Sequence, residues 1–315
     1  MTDNTRNIDL LTKITMSMPR SLYHPRYWPT WLGVLILRIV AALPFKAKLI
    51  AGRFFGLLAL RLIKRRRHIV ETNVRLCFPE LNPEQQKTMV RDIFIANGIG
   101  FFEIAWGWWA SNDDIKHRYT VEGLEHVEAA KAEGGVLLVG AHFVHLDLCG
   151  LMLNHATELD VIYRKNNNPV MEYVITKGRK KTYKNVFERS DMRSIIRSLR
   201  DGRAVWYSPD QDFGRNQAVF APFFGVPAAT LVTTSRLAKM GRAKPVGIAH
   251  YRDPKTQRYR VVFTPVDDTF PTGNDMQDAI IINQMIETAI RVQPDQYMWV
   301  HRRFKTRPIG EPSLY

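Results

Sequence analysis

Two cysteines, Cys77 and Cys149, are all that 315 residues contain. One pair cannot build a disulfide framework, so a reducing compartment is expected. Neither cysteine has metal-ligand spacing. Acidic residues are also scarce. Thirty Asp and Glu stand against 45 Lys and Arg, for a formal net charge of +15. Such an excess points to polyanions: nucleic acid, anionic lipid headgroups or acidic carrier proteins. No helix-turn-helix, zinc or RNP-like signature accompanies the charge, so nucleic acid is not the expected partner. No apolar run reaches the ~20 residues of a clean spanning helix. There is no internal repeat and no low-complexity tract. A secretory signal is not expected either. Asp3 and Asp9 lie where such a signal would be basic, and no small-residue cleavage site follows the first apolar stretch.

What is present is the composition of a folded protein, 45% hydrophobic and 24% charged. The length suits one large domain or two smaller ones. Trp28 to Leu43 is the most apolar stretch, closed by Pro44, and Leu49 to Ile63 follows. Two readings compete: one inserted or marginally spanning anchor at 28–45, or a helical hairpin lying in the interface. Tyr23, Tyr27, Trp28 and Trp31 are interfacial aromatics at one end. Lys64, Arg65, Arg66 and Arg67 form the basic cluster expected beside an anionic membrane surface. The plain alternative is that both runs are core helices.

Asn82-Pro83-Glu84 predicts a helix start, with an N-cap, a proline in the first turn and an acid at the positive dipole end. That helix should run to about Trp108. From about 120, short strands alternate with helices. Strands are expected at Val136–Val139, Val161–Tyr163, Val205–Tyr207, Pro245–Tyr251 and Tyr259–Val266. Helices are expected near 145–157, 169–183, 191–201, 228–241 and 275–292, with Gly202 capping the third. The pattern predicts an α/β fold: a central, mostly parallel or mixed sheet flanked by helices, preceded by a membrane-associated helical segment.

The strand at 136–139 runs directly into Gly140-Ala141-His142-Phe143-Val144-His145-Leu146-Asp147. Catalytic groups commonly sit at the carboxyl ends of such strands. His142 on the turn and Asp147 in the next helix can meet as a general base and its orienting carboxylate. No Ser or Cys stands beside them as a nucleophile, which favours direct attack by a substrate hydroxyl on an ester or thioester. Two other readings remain open. A lone His after a strand is often structural. His142, His145 and Asp147 could also ligate metal in a hydrolase, although no other dense cluster supplies further ligands.

Two more strand ends carry candidates. Ser208-Pro209-Asp210-Gln211-Asp212 places paired acids in a turn, able to orient a hydroxyl or simply to cap the turn. Arg164-Lys165 follows the strand at 161–163 and could hold a phosphate or an oxyanion. Basic residues crowd 177–203, Arg179 among them. Arg193, Arg197 and Arg200 share a helix face that is either solvated or meets an acidic carrier or a phosphorylated headgroup.

Taken together, these motifs resemble the late acyltransferases of lipid A biosynthesis, most closely their lauroyl/palmitoleoyl branch. The likeness covers nearly the whole chain. It includes His24-Pro25-Arg26-Tyr27-Trp28, Leu76-Cys77-Phe78-Pro79-Glu80, Leu138-Val139-Gly140-Ala141-His142-Phe143, Val205–Asp210 and Gln296–Pro308. The His-x4-acid motif alone is only moderately specific; the ends and middle together are highly specific. The resemblance implies an enzyme on the cytoplasmic face of the bacterial inner membrane. It implies an acyl carrier protein donor and a phosphorylated, Kdo-bearing tetraacyl lipid A precursor as acceptor, with no cofactor and no metal. His142 would deprotonate the acceptor hydroxyl and Asp147 would orient His142. Arg164, Asp210 and Asp212 would serve the acceptor site or the oxyanion. The implied division is a tail at 1–27, membrane-anchoring or interfacial helices at 28–66, and a catalytic domain at 67–315. Two departures stand out. Asp147 occupies a position where lauroyl relatives carry Glu, and Gln211 replaces a His between the two acids.

Overall fold

A computed structural model describes residues 18–153 and 157–315. Residues 1–17 of the expected tail, Asp3 and Asp9 among them, lie outside the described residues, as does the end of the helix expected near 145–157.

Helix α1 spans Trp28–Ala42 and α2 spans Phe45–Leu62, separated by Leu43-Pro44. On α1, Trp28, Leu32, Leu35, Ile36 and Ile39 are exposed, at the i, i+4, i+7, i+8, i+11 spacing of one helix face. On α2, Ile50, Phe54, Phe55, Leu58 and Leu62 are exposed likewise. Apolar side chains thus form the outer face of both helices, the reverse of the arrangement that suits water. Among the described residues no helix is long and apolar enough to cross a membrane. The two helices do not form a tight hairpin. Each lies on the long helix α4 (Pro83–Trp109), with a groove between them. Glycines explain how close α2 comes. A Cβ on Gly56 would stand 2.3 Å from the Phe94 carbonyl oxygen, and one on Gly98 would stand 2.2 Å from that of Gly52. Gly52-x-x-x-Gly56 is the small-residue spacing that lets two helix backbones touch.

Helix α3 (Lys64–Cys77) leads to α4, which begins where the sequence predicts. Asn82 Oδ1 accepts from the Gln85 N–H at 3.0 Å and Gln85 Oε1 accepts from the Asn82 N–H at 2.9 Å. This is a reciprocal capping box with Pro83 at the first helical position.

A short turn of helix, α5 (Asn112–Ile115), precedes the sheet. The seven strands are β1 (Tyr119–Glu122), β2 (Gly135–Gly140), β3 (Leu159–Tyr163), β4 (Val186–Glu188), β5 (Ala204–Tyr207), β8 (Ala243–Arg252) and β9 (Tyr259–Pro265). Their spatial order is β1-β9-β8-β2-β5-β3-β4. Every neighbouring pair is parallel except β8 with β9. The connecting helices are α6 (Leu124–Glu133), α7 (Leu146–Leu153), α8 (Pro169–Thr182), α9 (Met192–Arg200) and α10 (Thr233–Gly241), and α11 (Asp275–Val292) follows the sheet. The α/β architecture with a mostly parallel, mixed sheet is as expected. Central β2 is buried along its whole length, hence its unbroken apolar run. Gly202, at φ 77°, closes α9 by donating to the Leu199 carbonyl at 3.0 Å.

One expected helix starts late. Residues 226–231 form strand β7, paired antiparallel with β6 (Ala218–Phe223), and α10 begins only at Thr233. The hairpin turns on Phe224 and Gly225, both at positive φ (50° and 76°). Such a two-residue turn matches the twist of the strands. After α11 the chain runs as a strap, 297–307, back across the sheet. Trp299 and Phe304 are fully buried in it. Asn73 Nδ2 on α3 donates to the carbonyls of Trp299 and His301 at 2.8 and 2.9 Å.

Candidate active site

Strands β2 and β5 pair in parallel with Val139 opposite Tyr207. Their exits therefore lie side by side, and the loops that follow bring His142 against Asp210. His142 Nδ1 lies 2.6 Å from Asp210 Oδ1. The His142 backbone N–H donates to Asp210 Oδ2 at 3.0 Å. Both carboxylate oxygens thus hold one residue, its ring and its main chain. The start of the strap and the residue before it fix the other side: the Met298 N–H donates to the His142 carbonyl at 3.0 Å, and the Val144 N–H donates to the Gln296 carbonyl at 2.9 Å.

Asp210 is buried, while 27% of the His142 side chain is exposed. A carboxylate facing Nδ1 makes that nitrogen the donor and leaves the lone pair on Nε2. Burial pulls the His142 pKa down, but the charge and hydrogen bond of Asp210 outweigh it, against a smaller opposing pull from Arg179. The net direction is upward from 6.5. For Asp210, burial pushes up, and the charge and hydrogen bonds of His142 outweigh it, so the carboxyl stays below its usual range.

Asp147 lies in the first turn of α7, and its oxygens point elsewhere than the His142 ring. Oδ1 accepts from Arg179 Nε at 2.8 Å and Oδ2 from Trp108 Nε1 at 2.9 Å. The partner on Nδ1 is therefore Asp210 and not Asp147, the carboxylate expected to orient the ring. Burial lowers the Arg179 pKa and the charge of Asp147 more than restores it. Gly178 permits this contact between α8 and α4, since a Cβ there would stand 3.0 Å from Trp108 Cβ.

Arg164 is exposed at the end of β3 and lines the same cavity as His142, Asp147 and Arg179. Asp212 does not line it. Its carboxylate accepts from the Gly214 N–H at 2.9 Å and from the N–H and hydroxyl of Thr306 at 2.6 and 2.8 Å. Its own N–H donates to His301 Nε2 at 3.0 Å. Asp212 ties its loop to the strap and has no oxygen turned to the cavity, unlike the acceptor-site group expected of it. His145 is fully buried against His250, with ring centroids 4.6 Å apart, and does not line the cavity either. Burial and the Arg252 charge hold its pKa down to about 3, so it is neutral. The His142-x-x-His145-x-Asp147 set thus does not converge on one point. Among the described residues no cluster of three His, Cys, Asp or Glu is arranged to hold a metal ion.

The cavity measures about 500 Å³. Arg164, Arg179 and Arg189 supply positive charge around His142, while Ile195, Trp206, Leu231 and Leu237 make an apolar wall. Arg179 and Trp108 were not singled out as site residues in the sequence, and their only signals were a basic crowd and an aromatic run. A base with a committed orienting carboxylate, fixed cations and an apolar chamber can deprotonate a hydroxyl, steady an oxyanion and hold a hydrocarbon chain.

The sequence profile of the bacterial lipid A biosynthesis acyltransferases matches residues 16–306. The chain is 37% identical to a lipid A biosynthesis palmitoleoyltransferase of Escherichia coli K12 over 298 residues, 94% of this chain and 97% of that one. A lauroyltransferase of the same organism is 38% identical, with the same coverage. A myristoyltransferase is 30% identical, covering 94% of this chain and 93% of its own.

Proposed function

Because this chain belongs to the bacterial lipid A biosynthesis acyltransferases, we propose that it moves a fatty acyl group from acyl carrier protein onto a hydroxyl of a 3-hydroxyacyl chain of the Kdo-bearing, tetraacyl lipid A precursor. His142 is the base. The hydroxyl oxygen attacks the thioester carbonyl carbon as its proton passes to Nε2. The carbonyl oxygen becomes an oxyanion beside the cations of the cavity, Arg179 and Arg164. The carbon–sulfur bond then breaks, and His142 returns the proton to the departing thiolate. Atoms and charge balance without a cofactor.

The observation that carries this reading is the latch of His142 by both oxygens of Asp210 at the mouth of a largely apolar cavity. Asp210 orients the base and stabilises its cation. Asp147 acts through Arg179, whose guanidinium it holds in the cavity wall. Membrane contact falls to the exposed apolar faces of α1 and α2, resting in the interface of the inner membrane on its cytoplasmic side. The groove between those helices, about 660 Å³, is lined by Ile36, Val40, Phe55 and Phe101 and reaches Met298 and His301 of the strap. It offers an acyl chain of the acceptor a path from the leaflet toward His142.

The test uses the full-length chain with labelled acyl carrier protein thioesters and the lipid precursor. Wild type should transfer label, and His142→Ala should lose at least about a thousandfold in rate. Undiminished transfer by His142→Ala overturns the mechanism.

A further inference from the structure

A second cavity, about 410 Å³, sits where α1 ends and α2 begins. Its charged lining comprises Arg38, Lys48, Arg118 and a single acid, Asp114. Lys48 is only 4% exposed and lines this cavity, and among the described residues it forms no ion pair. Its ammonium instead stands 4.2 Å from the centre of the Trp106 ring. A lysine this buried, with no carboxylate paired to it, is costly, and ordinary packing would replace it with an apolar side chain. Asp114, whose Oδ2 accepts from the N–H and hydroxyl of Ser111 at 2.9 and 2.8 Å, sets one negative charge against the three cations of the corner. Arg118 lies over the Phe45 ring at 4.3 Å, and among the described residues it forms no ion pair.

The start of α2 adds to the imbalance. It has no side-chain cap and no acid in its first turn, and it carries Lys46 and Lys48 there. Cations at the positive end of a helix are unfavourable unless an anion joins them. Exposed Ile39 and Ile50 flank the corner on α1 and α2, so it lies at the edge of the apolar face.

We propose that this corner binds a phosphate ester, with Lys48 as its floor and Arg118 and Arg38 as its walls. The ligand shares the plane of the membrane headgroups, a placement that rests on the interfacial reading of α1 and α2. The site is separate from the His142 cavity, with which it shares no lining residue. Burial holds the Lys48 pKa down to about 8, with Asp114 raising and Arg118 lowering it. A bound phosphate would favour the charged ammonium.

The experiment reads binding and needs no acyl transfer, so it is independent of the proposed reaction. The full-length chain is titrated with glycerol 3-phosphate. It is then co-sedimented with phosphatidylcholine vesicles with and without phosphatidic acid. Lys48→Met and Arg118→Gln are compared with wild type, with melting temperatures as the control for folding. Lys48→Met removes a buried charge while keeping a chain of similar shape, so it should melt no lower than wild type. Each variant should lose about tenfold or more in affinity. Loss in the soluble arm alone identifies a free phosphate ester as ligand, and loss in the vesicle arm identifies a lipid headgroup. Unchanged binding by both folded variants in both arms overturns the proposal.

Discussion

Replacing Asp210 with asparagine is the most informative single change. The carboxylate takes one bond from His142 Nδ1 and one from its backbone N–H. An amide of the same size can still accept from the backbone through its oxygen, but it presents NH2 to Nδ1. The ring must then accept at Nδ1 and carry its proton on Nε2, where the base needs a lone pair. The imidazolium formed during the reaction also loses its counter-charge. Together these changes should lower kcat by about a thousandfold to ten-thousandfold, which is roughly 4–5 kcal/mol of barrier at 1.36 kcal/mol per tenfold. Turnover is measured beside the proton NMR spectrum of the histidine rings. Wild type should show a Nδ1 proton on His142 that vanishes in Asp210→Asn and survives in Asp147→Asn, whatever the activity of the latter. Turnover of Asp210→Asn within tenfold of wild type would refute the reasoning. So would loss of the Nδ1 proton in Asp147→Asn with its retention in Asp210→Asn.

Further predictions follow from the same geometry. A base must be neutral to act, so kcat/KM should fall as pH drops through the His142 pKa, which lies above 6.5. In Asp210→Asn that acid limb should move to lower pH, and an unmoved limb would detach Asp210 from the titration. Gly56→Leu should cost about 1–3 kcal/mol or more in thermal unfolding, because its Cβ would meet the Phe94 backbone; an unchanged melting temperature contradicts the close packing of α2 on α4. Leu32→Ser with Phe54→Ser should weaken vesicle co-sedimentation about tenfold or more, at ~1.5–3 kcal/mol per buried apolar side chain. Equal sedimentation would remove the membrane role from this face. Asn73→Ala should lower the melting temperature by loosening the strap, as hydrogen bonds to Trp299 and His301 are lost.

Local chemistry was legible in the sequence. The cap at Asn82-Pro83, the buried run of β2 and the placing of His142 just past its end all follow from signals within a few residues. The partner of His142 was not. Asp147 is close in sequence and chemically suitable, but Asp210, 68 residues away, is the one that touches the ring. Only the pairing of β2 with β5 makes them neighbours, and strand order is a long-range outcome that no local pattern encodes. Asp212 looked equivalent to Asp210 two residues earlier. A turn and the strap residue Thr306 separate their roles. Hairpin β6–β7 was hidden because its turn places Phe224 at positive φ, a conformation that the residue type does not announce. Nothing in the sequence sets Lys48 apart from the other cations, and only the packing of Phe45 and Trp106 around it reveals its burial.

The central claim is acyl transfer with His142 as the base, and mass spectrometry of the lipid product addresses it most directly. The full-length chain is incubated with a defined acyl carrier protein thioester and the tetraacyl acceptor. The account predicts an acceptor heavier by one ester-linked acyl group with wild type, and none with His142→Ala. An unmodified acceptor with wild type, or the same product with His142→Ala, would contradict it.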